Sequence, residues 1–251
     1  MQNYLFTRGT GPFVSVLLPT RKHPKELCEA IDSLHSLAHN PNDIEYLLWI
    51  DDDDDATLKI FDRMKGLINV RAHVAPRVGY RNMHVMVNAL AARAGGDWLL
   101  LFNDDAKIRT EKWDFVLANS CIEGITPWHG DVDVCLYICQ SIGRHDALEF
   151  AFLRRATFEI LGHYSLNCHC DSWIANVTAG ASSAFHIPIN ILHTNGEDEV
   201  RKQVLEDYKV AGRELNSVAM LRAKNKDVLA LINHVSAFQD ANPNWCLADV
   251  R

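Results

Sequence analysis

The chain reads as an α/β protein: a mostly parallel sheet flanked by helices, with a helical C-terminal segment packed on it. Three observations predict this. Short apolar runs such as Phe13 to Pro19 and Trp98 to Phe102 have the composition of strands buried on both faces. Amphipathic helical patterns separate the runs, which argues for crossover connections and parallel pairing. Acidic residues follow two of the strands at once, at the edge where open α/β sheets bind ligands.

The first strand, Phe13 to Pro19 (FVSVLLP), leads to a helix opened by Pro24, whose missing N–H is no loss at that position. Leu27, Ile31, Leu34 and Ala38 repeat at helical spacing and give this helix one apolar face. Asn40-Pro41-Asn42-Asp43 ends it. The second strand, Ile44 to Ile50 (IEYLLWI), runs into Asp51 to Asp55. A helix over Thr57 to Leu67 and a strand over Asn69 to Ala75 follow. The next helix, Asn82 to Ala94, carries Met83, Val87 and Leu90 on one face and stops at Gly95-Gly96. Trp98 to Phe102 is the next strand, Glu111 to about Ile122 a helix, and Val132 to Cys139 a strand.

From about Ala147 the alternation fades. Arg154 to Leu161 reads as helix, Gly162 to Asp171 as a polar loop, and Ile187 to Leu192 as a short strand. From Glu197 onward the pattern is helical and charged. Val204, Tyr208, Leu215, Met220, Leu221, Leu229 and Ile232 are its expected core contacts. No internal repeat, low-complexity segment or linker interrupts the chain, so one packed unit is expected. Residues 1–196 would form the sheet domain and 197–251 its helical extension.

At 251 residues and 48% hydrophobic composition there is ample material for a core. The formal net charge of -7 demands no nucleic-acid partner. No apolar run is long enough to cross a bilayer, and Met1 to Arg8 lacks the apolar core of a signal peptide. A cytoplasmic location is expected. The seven cysteines form no disulfide-scaffold rhythm. Cys168-His169-Cys170 is tighter than a zinc knuckle and has no second knuckle, so reduced thiols are expected.

The chemistry concentrates at Asn103-Asp104-Asp105, directly after the strand Trp98 to Phe102. Adjacent carboxylates there can hold a divalent ion, and such an ion usually neutralises a phosphate. The run Asp51 to Asp55 ends the neighbouring strand. It fits a calcium loop poorly, because Ala56 and Asp62 stand where glycine and the bidentate glutamate belong. One of these carboxylates could instead accept hydrogen bonds from a base or ribose. No Walker loop and no Gly-x-Gly-x-x-Gly follows the first strand, which argues against P-loop hydrolases and dinucleotide binders. A bound nucleotide would then rely on metal and on Arg21, Arg77 or Arg81.

Three blocks resemble the family 2 glycosyltransferases of the GT-A fold. They are VSVLLPTRKHPKELCEAIDSL, IEYLLWIDDDDDAT and NALAARAGGDWLLLFNDDA, which together span about the first half of the chain. The resemblance implies a nucleotide-sugar-binding and catalytic domain over 1–196. Pro19, Thr20 and Arg21 would line the nucleotide pocket, Asp52 would contact the base, and Arg81 would reach the nucleotide. Asn103-Asp104-Asp105 matches the Asp-x-Asp position, with Asp105 on the metal, Asp104 toward ribose or sugar, and Asn103 as a departure from the pattern. The later block RRATFEILGHYSLNCHCDSWIANV is similar to the acceptor side and implies Asp171 as general base. Its own alternative role is to cap the helix that starts near Ser172. A late histidine, His193 in preference to His186, would join the metal.

The implied activity is an inverting, manganese- or magnesium-dependent hexosyl transfer from a nucleotide sugar, with UDP the expected carrier. The acceptor would be a surface glycan or, by similarity to compact phage enzymes, a hydroxymethylated pyrimidine in DNA. For DNA, Arg144-His145 and Arg154-Arg155 would have to supply positive charge. A nucleotidyltransferase and a non-catalytic metal- or sugar-binding module are the alternatives.

Overall fold

The structure is a computed structural model that describes residues 11–122, 134–142, 148–194, 207, 213–214 and 216–241. The first half runs Val14–Thr20 (β1), Pro24–Ser36 (α1), Ile44–Asp51 (β2), Asp55–Met64 (α2), Val70–Ala75 (β3), Met83–Ala91 (α3) and Trp98–Leu101 (β4). Ala106–Ile108 (β5), Trp113–Ile122 (α4), Leu136–Ser141 (β6), Ala151–Arg154 (β7) and Arg155–Leu161 (α5) follow. Cys170–Gly180 (α6), Ala184–His193 (β8) and Val218–Ala241 (α7) complete the described elements.

One eight-stranded sheet has the order β3-β2-β1-β4-β7-β6-β8-β5. The β3-β2-β1-β4 half is parallel throughout, as the alternation of strands and helices requires. Beyond β4 the sheet is mixed. β7 lies antiparallel to both β4 and β6, β6 is parallel to β8, and β5 is antiparallel to β8. The helix expected over Arg154 to Leu161 is α5, starting one residue later, while β7 before it and β5 have no counterpart in the sequence reading. Residues 132–133 of the expected strand lie outside the described residues.

Strand alternation divides the core into two layers. Val14, Val16, Leu18, Ile44, Tyr46, Leu48 and Ile50 pack on the face covered by α1, α2 and α4. Leu17, Leu47, Trp49 and Leu99 pack on the other face, against Val87 and Leu90 of α3 and Ile174 of α6. Trp113 is fully buried, and its indole N–H donates to the Leu34 carbonyl at 2.8 Å, closing the last turn of α1. Asp114 beside it accepts from the backbone N–H groups of His39 and Asn40 at 2.6 and 2.8 Å, so one acidic residue satisfies both donors of the turn that follows α1.

Glu45 sits at the end of the sheet opposite the acidic loops and is only 2% exposed. Its carboxylate accepts from Ser15 Oγ at 2.5 Å and from the Gly95 N–H at 2.6 Å, and it pairs with Arg71. Gly96 donates in turn to Ser15 Oγ at 2.8 Å. The backbone can approach this closely only because Gly96 lacks a side chain: a Cβ there would lie 2.6 Å from both Ser15 N and Ser15 Oγ.

The C-terminal helix α7 packs on α5 and α6 through Leu231, with Trp173, Val177 and Val134 as buried partners. Met220, Ala223, Val228 and Val235 extend the same stripe. The core expected from the sequence is corrected here. Leu221, Leu229 and Ile232 lie on the other side of the helix, 46%, 57% and 38% exposed. The helix carries two apolar stripes, and hydropathy alone does not say which one packs. Val204, Tyr208 and Leu215 lie outside the described residues. Asp227 pins the helix from within, its carboxylate accepting from the Trp173 indole N–H at 3.1 Å and lying 2.9 Å from His163 Nε2. Among the described residues no helix is long and apolar enough to cross a membrane. Cys28, Cys135, Cys139, Cys168 and Cys170 are all free thiols.

Two outcomes follow for stability. Gly96→Ala forces backbone against backbone and should destabilise the protein by about 1–3 kcal/mol in urea unfolding. Asp227→Ala strands the buried Trp173 indole N–H and removes the His163 contact, and should cost about 1–3 kcal/mol, whereas Asp227→Asn, which keeps an acceptor, should cost less in the same assay.

Candidate active site

The carboxyl ends of β1, β2 and β4 converge on one edge of the sheet, and β8 delivers its last residue to the same edge. Phe102 is tied to β1 by its N–H to the Leu17 carbonyl at 3.0 Å. The chain then turns through Asn103, Asp104 and Asp105, with Ala106 N–H donating to the Asn103 carbonyl at 3.2 Å. β5 pairs Ala106 with His193. Thr194 closes the corner, donating from its N–H and from Oγ1 to the Asp105 carbonyl at 2.9 and 2.6 Å.

This register sets His193 beside Asp105, with Nε2 3.0 Å from Asp105 Oδ1. Asn103 Nδ2 lies 3.4 Å from the same nitrogen. On the other side of the ring, Nδ1 is 3.1 Å from Glu149 Oε2. Burial alone would lower the His193 pKa, but the hydrogen-bonded carboxylates of Asp105 and Glu149 outweigh it and raise the pKa to about 9. His186, the other histidine considered for the metal, is exposed near the opposite end of β8. Seven residue steps along the strand, about 23 Å, separate it from His193.

Asp104 faces β1. Thr20, 5% exposed, donates from Oγ1 to Asp104 Oδ2 at 2.7 Å, and His23 Nδ1 lies 3.5 Å from the same oxygen. Pro19 is half-buried in β1. Arg21 grips the acidic run after β2: it donates to Asp51 Oδ2 at 2.6 Å and to both oxygens of Asp53 at 2.5 and 2.9 Å. Those bonds raise the guanidinium pKa above its ordinary value, and the Arg21 bond lowers Asp53 to about 2. Lys22, at φ 59°, donates its N–H to Asp54 Oδ2 at 2.5 Å, while Asp54 also caps α2 through Thr57. Five adjacent carboxylates are thus given different work: Asp51 and Asp53 hold Arg21, Asp54 ties two loops together, and Asp52 and Asp55 are exposed. Asp52 keeps its side chain at the sheet edge while its N–H donates to the Ala75 carbonyl at 2.9 Å. Arg77 is exposed, and Arg81 forms an exposed pair with Glu214 at 2.8 Å.

The acceptor-side block reaches the same edge from below. Asn88 of α3 accepts at Oδ1 from the N–H groups of Tyr164 and Ser165 at 2.7 and 3.2 Å, and donates to the Ser165 carbonyl at 2.8 Å. That clamp sets the loop leading into α6. Asp171 stands in the first turn of α6 and accepts from the Ser172 N–H at 2.7 Å. Helix α6 begins at Cys170, so the carboxylate lies just inside the helix and is not its N-cap. Asp171 shares a small recess with Asn103, Glu149, Phe150 and Tyr164. Burial raises its pKa, the Ser172 N–H opposes the shift, and Glu149 adds to it. The structure therefore brings together Thr20, Asn103, Asp104, Asp105, His193 and Asp171, and sets Arg21 among the acids beside them. Glu149 completes the site without any motif to announce it, while Asn88 and Tyr164 lie inside two of the quoted blocks at positions given no role there.

Asp105 and His193, whose Oδ1 and Nε2 lie 3.0 Å apart, are the residues that could hold a divalent ion at this edge. Carboxylate with imidazole suits manganese. No group of three metal-ligating side chains converges among the described residues, so a diphosphate and water would complete such a shell.

A sheet of this order with acids and a histidine at its carboxyl edge belongs to the GT-A class of glycosyltransferase folds. Residues 15–120 match the family model described as Glycosyl transferase family 2. Solved structures agree in fold. Residues 1–349 of S. aureus TarS in complex with UDP-GlcNAc align at 16% identity and a TM-score of 0.58, covering 90% of this chain and 73% of that one. The mannosyltransferase PcManGT from Pyrobaculum calidifontis, in complex with GDP-Man and Mn2+, aligns at 15% identity and a TM-score of 0.57, covering 92% and 76%. No curated protein matches the chain in sequence.

The Asn88 clamp predicts a separable effect. Asn88→Ala leaves buried N–H groups at Tyr164 and Ser165 without acceptors and should destabilise the fold by about 1–3 kcal/mol in thermal unfolding.

Proposed function

We propose that the protein is an inverting, metal-dependent glycosyltransferase that moves a hexose from a nucleoside diphosphate sugar to an acceptor hydroxyl. The observation that supports it is the meeting of Asp105, His193 and Asp171, three residues from distant parts of the chain, around Asn103 at one sheet edge. In this reading Asp105 and His193 hold a manganese or magnesium ion, which when bound supplies positive charge for the leaving diphosphate. Thr20, held by Asp104, and Pro19 flank the nucleotide. Arg21, Asp52 and Arg81 face its base and phosphates, and Asp104 faces ribose or sugar.

The chemistry of the chain's own groups is proton removal. The acceptor oxygen attacks the anomeric carbon, its proton passes to the Asp171 carboxylate, and the anomeric C–O bond breaks with its electron pair going to the diphosphate oxygen. A carboxylate with a raised pKa is the stronger base, which is what burial gives Asp171.

UDP is the expected carrier. The related structures hold UDP-GlcNAc and GDP-Man, so both donors are candidates to try. A glycan acceptor fits better than DNA. Arg154 sits over the Trp98 ring at 5.5 Å and Arg155 pairs with Glu159, both at the end of β4 remote from the acids. Arg144-His145 lies outside the described residues. The cytoplasm is the proposed location.

Release of nucleoside diphosphate from UDP-GlcNAc, UDP-glucose and GDP-mannose, with manganese, tests the reading. One donor should turn over, and Asp105→Ala should lower that rate about 10²- to 10³-fold. No hydrolysis and no nucleotide binding would defeat it. Asp171 adds a pH signature. Its carboxylate must be ionised to act, so kcat/KM should fall on acidification through a pKa above the ordinary carboxylate value of 3.8. Asp171→Asn should abolish that acidic limb along with most of the rate.

A further inference from the structure

His193 has a carboxylate on each ring nitrogen. Asp105 faces Nε2 at 3.0 Å and Glu149 faces Nδ1 at 3.1 Å. The two nitrogens point apart, so a group bonded at Nδ1 cannot share an ion bound at Nε2. Glu149 is therefore not a third ligand in this arrangement. It is the group that fixes what Nε2 offers.

We propose that Glu149 is a positioning residue for the metal–diphosphate site, holding His193 with its proton on Nδ1 so that the Nε2 lone pair is presented beside Asp105. The inference rests on the metal-dependent reading above. Three features support it. The Glu149 and His193 side chains are 18% and 11% exposed, so their contact is shielded from water. Phe150, next to Glu149, is held at φ 55° while 4% exposed, a conformation rare for a bulky residue. It persists because the Phe150 carbonyl is bonded to the Cys139 N–H at 2.9 Å and its ring meets the His193 ring edge-on at 5.4 Å. The turn thus cradles the imidazole from two sides, and a carboxylate accepting from Nδ1 makes the opposite nitrogen a better ligand.

Mn2+ binding tests this, measured by electron paramagnetic resonance with UDP or GDP present, together with the nitrogen modulation that an imidazole ligand imposes on the Mn2+ spin echo. The wild type should bind Mn2+ and show the modulation, and Asp105→Ala should bind far more weakly. Glu149→Gln keeps an acceptor for Nδ1–H and should retain the modulation, with affinity within about threefold of wild type. Glu149→Ala should weaken Mn2+ about 10- to 100-fold and lose the modulation. Glu149→Met, which keeps the bulk without the acceptor, gives the same comparison should the alanine variant fail to fold. Wild-type affinity and unchanged modulation in Glu149→Ala or Glu149→Met would overturn the role of Glu149 while leaving the metal site standing. A parallel loss in Glu149→Gln with a lowered melting temperature would overturn it in favour of a purely structural role. Absence of Mn2+ binding by the wild type with either nucleotide would remove the metal-dependent reading and this proposal together.

Discussion

The site depends on a strand of three residues. β4 leaves the sheet at Leu101, and the chain must return within a few residues to pair Ala106 with His193. That register sets Asp105 next to an imidazole 88 positions further along the chain. Strand side chains alternate between faces, so a slip of one residue would send His193 to the opposite side. The double donation from Thr194 to the Asp105 carbonyl locks the register where the strand is too short to lock itself.

Electrostatics at this edge is managed by giving most of the charges that face inward a partner before any ligand arrives. Arg21 neutralises Asp51 and Asp53, Thr20 hydrogen-bonds Asp104, and His193 lies between Asp105 and Glu149. The cluster is acidic in sequence yet stable in the fold because the repulsion is divided among separate contacts. The same division narrows what remains for a ligand: a cation beside Asp105 would compete for the Asp105–His193 contact, and a phosphate would come with that cation.

Much of the first half was legible because long buried strands and amphipathic helices each carry a clear period. β1, β2, β3 and β4 and the helices between them fall within a few residues of their expected bounds. β5 and β7 were not legible, since three or four residues carry no period. α7 was legible as a helix but not in its packing face, because Leu221, Leu229 and Ile232 make an apolar stripe as convincing as the one through Leu231. Asn103-Asp104-Asp105 could be found because it follows a strand. Glu149 could not, because it precedes a strand that is itself invisible in the sequence, and its partner lies 44 residues on.

The two halves of the molecule meet through polar groups where one might expect only packing. Asn88 on α3, a helix of the parallel half, sets the loop that brings Asp171 to the edge. Asp227 on α7 holds Trp173 of α6, two residues after Asp171. Apolar contacts would bury these helices at many rotations of nearly equal energy. A buried amide or carboxylate with fixed donors admits few. The position of Asp171 relative to Asn103 is therefore specified by hydrogen bonds just before and within the first turn of α6, while the hydrophobic core supplies the stability that makes such specification affordable.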